Sequence, residues 1–473
     1  MRRTPLPIGS PLFTVLMVTE TLQRGQWGSR LGFILAAAGS AIGLGNIWRF
    51  PYLAGEGGGG AFVLIYLVCV VGIGMPYLFA ELALGRKSQR NPVGAIMSLV
   101  GTRSLWIIVG AFCVLAGFVI LSYYSVIAGW AVGYAVKEVI APGMPFGEFV
   151  ASPTLVISLL AVFLALTLLV VVGGIEKGIE RWAKILLPVL LVLMILVIIR
   201  SVTLPGAAEG IAFFLVPDFS QVSLDLVIVA LGQAFFTLSL GMGAMITYGS
   251  YLSKTEDIAI SGGYVVIFNT VVALMAGFMI FPALAATGVD AASGPALVFL
   301  ALPEVFAQMP LGGLVSVTFF VLLSIAALTS SISLLEVVVS YFVDETSWSR
   351  KKSVLVIGVL TFFMAIPSAL SQGAVEGLSD LSYLLGEGGL FGANDFLSLL
   401  DVLVGSVGLA IGAFFLSIFI AWVWGADEAA EELAQGGSLL TPGMIKGWVF
   451  MMKYVLPLII AIIVIANIAG VDV

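Results

Sequence analysis

One feature leaves this chain few architectures: from residue 31 to residue 469, apolar stretches long enough to cross a hydrocarbon core follow one another. A helix needs about 20 residues to span the ~30 Å core of a bilayer. With 60% hydrophobic and only 10% charged residues, the sequence also lies far from soluble usage, where roughly a quarter of residues are charged. It reads as an all-α polytopic membrane protein whose first partner is the lipid bilayer, and nothing in it suggests a nucleic acid.

Apolar runs set against Pro, Gly and charge clusters predict eleven helices, at 30–54, 61–85, 105–137, 153–172, 178–200, 224–252, 257–286, 311–345, 352–370, 393–424 and 446–469. If the N-terminus is cytoplasmic, seventeen of the twenty Lys and Arg face the cytoplasm and only Arg49, Lys137 and Arg200 face out. The positive-inside rule then fixes the orientation, and an odd helix count puts the tail ending at Val473 outside. The division is a cytoplasmic tail (1–29), two five-helix halves (30–200 and 224–424) and an eleventh helix (446–469). The tail lacks the layout of a signal peptide. The acidic segment 425–445 reads as a solvated cytoplasmic connector.

The absence of histidine excludes His-ligated haem, His-containing zinc sites and Ser-His or Cys-His nucleophilic chemistry. Cys69 and Cys113 lie in apolar segments, as packing residues do. Gly57–Gly60 lacks the Gly-Lys-Ser/Thr that would make it a phosphate loop. No enzyme chemistry is expected.

The first helix reads Gly39-Ser40-Ala41-Ile42-Gly43-Leu44-Gly45-Asn46 and the sixth Thr237-Leu238-Ser239-Leu240-Gly241-Met242-Gly243. Clustered Gly at mid-membrane favours close packing or local unwinding. These segments open two consecutive five-helix halves, and interrupted helices at matching places are the best sequence pointer to an inverted-repeat transporter with its site at the midplane. Unwinding frees carbonyls for a hard cation and amides for a carboxylate. Neutral oxygen donors lie nearby in Asn46, Thr237, Asn269 and the run Thr329-Ser330-Ser331, a set that suits Na⁺.

Trp27 to Arg90, with its run GLGNIWRFP, resembles the neurotransmitter:sodium symporter family, as do GIERWAKILLP (178–188), GQAFFTLSLGMGAMITYGSY (232–251) and LTSSISLLE (328–336). The resemblance spans nearly the whole chain and is to bacterial amino-acid transporters of that family. It implies a LeuT-like fold with a 5+5 inverted repeat and unwound helices 1 and 6. It implies one sodium site at the Ala41 carbonyl, Asn46, Thr237, Asn269 and the substrate carboxylate. A second would use the carbonyls of Gly39, Ile42 and Ala326 with the hydroxyls of Thr329 and Ser330. The carboxylate would also meet the amides of Leu44 and Gly45 and the hydroxyl of Tyr124, above a side-chain pocket of Ser40, Ile120, Phe236, Ser239, Met242, Ser330 and Leu334. Gates carry over as Arg49 with Asp401 outside, where Tyr124 and Phe236 form a lid, and Arg24 with Asp344 inside, near Trp27 and Tyr251. Glu81 and Glu336 sit in membrane helices, where burial demands partners; unwound backbone or polar neighbours are expected there rather than proton relay.

The expected function is Na⁺-coupled import of a neutral, apolar L-amino acid across the cell membrane by alternating access. Amine-carrying relatives place an aspartate at the position of Gly43, whereas Gly leaves that space to a substrate carboxylate. Chloride-dependent relatives place a serine four residues after Asn269, where this chain has Ala273. Tyr66, Gln233, Thr237 and Asn269 match the rest of a halide shell, which leaves room for a weak chloride site; because the hydroxyl is missing at Ala273, transport is expected not to require chloride. An ion channel, the competing class, would want a continuous polar pore and usually oligomeric symmetry. The preferred amino acid, Na⁺ stoichiometry, proton antiport and oligomeric state are not legible.

Overall fold

A computed structural model describes residues 25–141, 143–289, 297–386, 389–390, 393–437 and 440–469. Arg24, the first part of the tail and Val473 lie outside the described residues. The helices that carry the argument are α1a (Arg30–Ala41), α1b (Gly45–Glu56), α2 (Gly60–Ser88), α3 (Ile107–Ile140), α4 (Pro153–Val172) and α5 (Ile175–Val202). They continue as α6a (Leu224–Thr237), α6b (Ala244–Gly249), α7 (Ile258–Thr287), α8 (Gly312–Glu345), α9 (Arg350–Leu370), α10 (Phe396–Leu433) and α11 (Pro442–Ile468).

The expectation of eleven crossings is not met by eleven unbroken spans. Nine described helices are long and apolar enough to cross a membrane, or ten if α1a and α1b, bent by 53° at their break, count as one. The sixth expected span is divided into α6a and α6b, each too short to cross alone.

α3 and α8, the two longest of these helices after α10, pack against each other along their lengths, and α1a lies against α5, α7 and α8. The buried faces of these helices hold the polar residues as well as the core: Ser40, Asn46, Glu81, Gln233, Asn269, Ser331 and Glu336 are all 0–1% exposed. Leu166, Ile195, Leu355, Leu458 and other large apolar side chains are exposed on outer faces, as a lipid-facing surface requires. The Gly-rich 57–60 segment makes the α1b–α2 turn: Gly59 has φ +63°, and a Cβ there would stand 2.1 Å from the Phe213 carbonyl oxygen.

The acidic 425–445 segment corrects the sequence reading of a solvated connector. Its first part, Ala426–Leu433, continues α10 and buries Ala426, Ala429, Ala430, Glu432 and Leu433, which recur at helical spacing on one face. Glu432 is 1% exposed and pairs with the fully buried Arg86 at 2.8 Å; Lys87 and Lys254 stand 3.9 and 3.8 Å away. Burial holds the Lys254 ammonium below the usual lysine range, against the pull of Glu432.

Candidate functional site

The two breaks meet at the centre of the helix packing. α1a closes with Ile42 N–H donating to the Ala38 carbonyl at 2.7 Å, and Ile42 itself turns extended, with φ −80° and ψ 104°. In the second break Ser239, Gly241 and Gly243 all take positive φ, at 54°, 80° and 75°, a conformation that favours glycine. Carbonyls in these stretches lose their acceptor role in a helical ladder and are met by side chains instead.

On one flank, Thr329 Oγ1 donates to the Ala326 carbonyl at 2.9 Å and stands 3.3 Å from that of Ile42. Ser330 Oγ reaches the carbonyls of Ser40 and Ile42 at 3.0 and 3.3 Å. A Cβ on Gly39 would come within 3.3 Å of Thr329 Cβ. All five residues of the second expected sodium set, Gly39, Ile42, Ala326, Thr329 and Ser330, are therefore brought together, across some 290 positions of sequence. On the other flank Asn46 Nδ2 donates to Asn269 Oδ1 at 2.8 Å, Thr237 Oγ1 donates to the same oxygen at 3.2 Å, and Gly43 N–H donates to Asn46 Oδ1 at 3.2 Å. Ala41, also of the first set, is buried beside them in sequence. Both sets consist of neutral oxygens, and no group of three or more His, Cys, Asp or Glu that would hold a metal ion exists among the described residues. That chemistry fits a hard monovalent cation better than a transition metal.

Between the flanks, Leu44 N–H donates to Tyr124 Oη at 3.1 Å, and Tyr124 is hydrogen-bonded with Ser330. Gly43 faces both: a Cβ there would lie 2.4 Å from Ser330 Oγ and 2.7 Å from Tyr124 Oη. A side chain at position 43 would thus occupy the space between the hydroxyls, while Gly45 lies against the Phe236 ring.

A cavity of about 380 Å³ opens above this point. Leu44, Ile120, Tyr124 and Phe236 line it, together with Arg49 and Asp401. The other residues expected of the pocket, Ser40, Ser239, Met242, Ser330 and Leu334, are 1–8% exposed and do not line this cavity. Ser239 Oγ and Ser40 Oγ are engaged with the Ser40 carbonyl (2.9 Å) and Ser333 Oγ (2.7 Å). Arg49 donates to Gln233 Oε1 at 3.2 Å and lies over the Phe236 ring at 5.0 Å. Asp401 is hydrogen-bonded with Tyr123. Tyr123 has no forecast from sequence, since an aromatic inside an apolar helix gives no separate signal.

At the other end of α1a, Trp27 Nε1 donates to the Tyr248 carbonyl at 3.0 Å and its ring meets Tyr251 edge-on at 6.2 Å. Tyr251 Oη donates to Glu336 Oε1 at 2.6 Å, and Arg350 completes the Glu336 site with bonds of 3.0 and 2.5 Å. Asp344 accepts from the amide and side chain of Asn91 at 2.9 and 3.2 Å; its expected partner Arg24 lies outside the described residues. Glu81 accepts from the Gly241 amide at 2.7 Å, so both membrane carboxyls find the unwound backbone or polar neighbours expected of them. The role of Arg350 was not legible, because its partner sits on another helix.

The family model of the sodium:neurotransmitter symporters matches residues 24–148 and 144–472. The uncharacterized sodium-dependent transporter YhdH of Bacillus subtilis (strain 168) is 40% identical over 455 residues, covering 94% of this chain and 98% of that protein. The sodium- and chloride-dependent taurine transporter of Rattus norvegicus is 30% identical over 483 residues, covering 87% of this chain and 73% of that protein. Among solved structures, that of MhsT in complex with L-phenylalanine matches with a TM-score of 0.82 and 42% identity, over 94% of this chain and all of that one.

Proposed function

The chain belongs to the sodium:neurotransmitter symporter family and is a multi-pass, sodium-dependent membrane transporter, and from that premise we propose that it imports a neutral, apolar L-amino acid with two sodium ions. The observation that carries the substrate class is the space at Gly43. It lies between Tyr124 Oη and Ser330 Oγ, beside the amide of Leu44, so a substrate carboxylate can accept from these donors and complete the oxygen shell around Ala41, Asn46, Thr237 and Asn269. The apolar Ile120, Phe236, Met242 and Leu334 then select the side chain, and the thioether of Met242 repacks around several shapes. MhsT, similar along its whole length, binds L-phenylalanine, which supports the apolar class.

The first five helices and the next five form the two inverted halves, with α11 outside them and the N-terminus in the cytoplasm. Alternating access moves the α1, α2, α6 and α7 bundle against the rest. Arg49 and Asp401 close the outer end above Tyr124 and Phe236; Trp27 and Tyr251 close the inner end, where the family resemblance also implies a role for Asp344. Each Na⁺ moving down 100 mV supplies about 2.3 kcal/mol. Two ions therefore offer about 4–5 kcal/mol, near a thousandfold concentration ratio.

Chloride is not required in this reading. Tyr66 Oη and Asn269 Nδ2 are buried, and Tyr66 lies within hydrogen-bonding reach of Thr237 and Asn269, so these side chains can turn donors toward an anion. The hydroxyl that would complete the shell is missing at Ala273, itself fully buried.

Competition in Na⁺-containing proteoliposomes tests the substrate class. Leu, Met, Phe or Trp should displace a labelled apolar amino acid far better than Asp, Lys or Gly, and preloaded substrate should accelerate uptake. Tight binding of dopamine or glutamate would refute the assignment, and absence of exchange would favour a channel.

A further inference from the structure

Glu180, in the segment GIERWAKILLP, belongs to neither the substrate nor the sodium sites described above. It is 2% exposed, and its carboxylate accepts from three donors: Gly28 N–H at 2.7 Å, Ser29 Oγ at 2.8 Å and Lys184 Nζ at 2.6 Å. Ser29 caps α1a, and its Oγ in turn accepts from the Gly32 amide at 3.0 Å. The first turn of α1a and the residue that leads into it thus hang on one carboxylate from α5. A negative charge at a helix N-terminus is favoured by the helix dipole, and bonds to an ionised acceptor are stronger than neutral ones.

The facing side of the chain is bare where the carboxylate enters. A Cβ on Gly32 would stand 2.0 Å from Glu180 Oε1, one on Gly28 3.4 Å from Oε2, and one on Gly25 3.0 Å from Ile175 Cγ1. Gly32 lies inside α1a, where Ala would be the better helix former by about 1 kcal/mol. The glycine is explained by the side chain it admits.

α1a runs 12 residues from this contact to the break, a lever of roughly 18 Å at 1.5 Å per residue. We propose that Glu180 is the positioning residue that holds the N-terminal end of α1a against α5. Through that hold, the carbonyls of Gly39 and Ile42 at the far end of the helix keep their place opposite Thr329 and Ser330. The second step rests on the sodium reading given above; the first does not. When α1a leans away from α5, the bonds from Gly28 and Ser29 break together and the packing at Leu187, which a Cβ on Gly39 would touch at 2.9 Å, opens to water.

A reporter cysteine at Ala183 tests this in the full-length transporter, with the buried Cys69 and Cys113 replaced by Ala. Ala183 is 5% exposed and lies one turn from Leu187 on the same face of α5. In substrate-free protein in K⁺ medium, E180Q should speed maleimide labelling of A183C about fivefold or more, the scale set by one lost charge-assisted hydrogen bond. G32A should do the same, because its methyl displaces the carboxylate while favouring the helix. K184Q should change the rate less than about twofold, since an exposed partner contributes little. Apparent Na⁺ affinity should fall about threefold or more in E180Q and G32A. Rates within about twofold of the parent in both E180Q and G32A would overturn the proposal. G32A alone decides the matter if E180Q does not fold, since it keeps every ionisable group. The labelling is read without Na⁺, so faster labelling at unchanged Na⁺ affinity would overturn the coupling to sodium and uphold the clamp.

Discussion

The middle of the molecule and the Trp27 end of α1a solve the same problem, holding a movable helix in a membrane protein, with opposite chemistry. In the middle, helices are joined through neutral hydroxyls, amides and carbonyls at 2.7–3.3 Å: Ser40 with Ser333, Thr329 with Ile42, Asn46 with Asn269. Toward the other end the joints between helices carry buried charge: Glu336 with Arg350 and Arg86 with Glu432 at 2.5–2.8 Å, and Glu180 with the Gly28 amide and Ser29 hydroxyl at 2.7–2.8 Å. Neutral oxygens can exchange a hydroxyl for a cation at small cost, which suits a site that fills and empties. Buried charges leave a large penalty when separated, which suits a closure with few intermediate positions. In the proposed reading, the difference gives ion affinity and mechanical hold to separate regions, which α1a joins.

Breaking a charged joint should therefore show up chiefly as lost stability. Arg350→Gln leaves Glu336, which has no exposed surface, with an uncompensated buried charge, a loss of about 3–5 kcal/mol. Thermal unfolding should fall steeply, and adding Glu336→Gln should restore most of it. A single variant as stable as the parent would erase the contrast between the two regions.

Truncating the neutral joint should have the reverse signature. Thr329→Ala with Ser330→Ala removes donors from the Ser40 and Ile42 carbonyls, costing about 1–2 kcal/mol in stability. The Na⁺ dependence of substrate binding should weaken about tenfold or more, one decade per 1.4 kcal/mol of lost coordination. A sodium titration on the purified double variant checks it, and an unaltered titration curve would move the cation elsewhere.

The smallest effect is expected from chloride. Replacing it by gluconate at fixed Na⁺ should leave uptake within about twofold, as a shell lacking one donor worth about 1–3 kcal/mol implies. Ala273→Ser should then create or strengthen a chloride response by restoring that donor. A tenfold loss in the parent would show that the remaining donors suffice.

Much of the fold was legible because hydrophobic length is a local property. The fourth helix spans Pro153–Val172, as the apolar run implied, and α7 and α8 each begin and end within one residue of expectation. The breaks were legible too, because paired glycines in two corresponding helices are a pattern within the chain. The extension of α10 to Leu433 was hidden by four acidic residues, although Ala426, Ala429, Ala430 and Leu433 carried the helical period beneath them. The ion pairs were not legible at all: Arg86 and Glu432 are 346 positions apart, and charge alone does not name a partner. Glu180 carried no role in the sequence for the same reason: only Lys184 is near it along the chain, and its other donors, the Gly28 amide and the Ser29 hydroxyl, lie about 150 positions away.

The claim that joins these regions is that sodium completes the oxygen cage left by the two breaks and that the substrate carboxylate completes the sodium shell. Equilibrium binding of a labelled apolar amino acid in Na⁺, K⁺ and choline media measures it directly. Affinity should nearly vanish when Na⁺ is replaced by either of the others. Equal affinity in all three media would contradict the account at its centre.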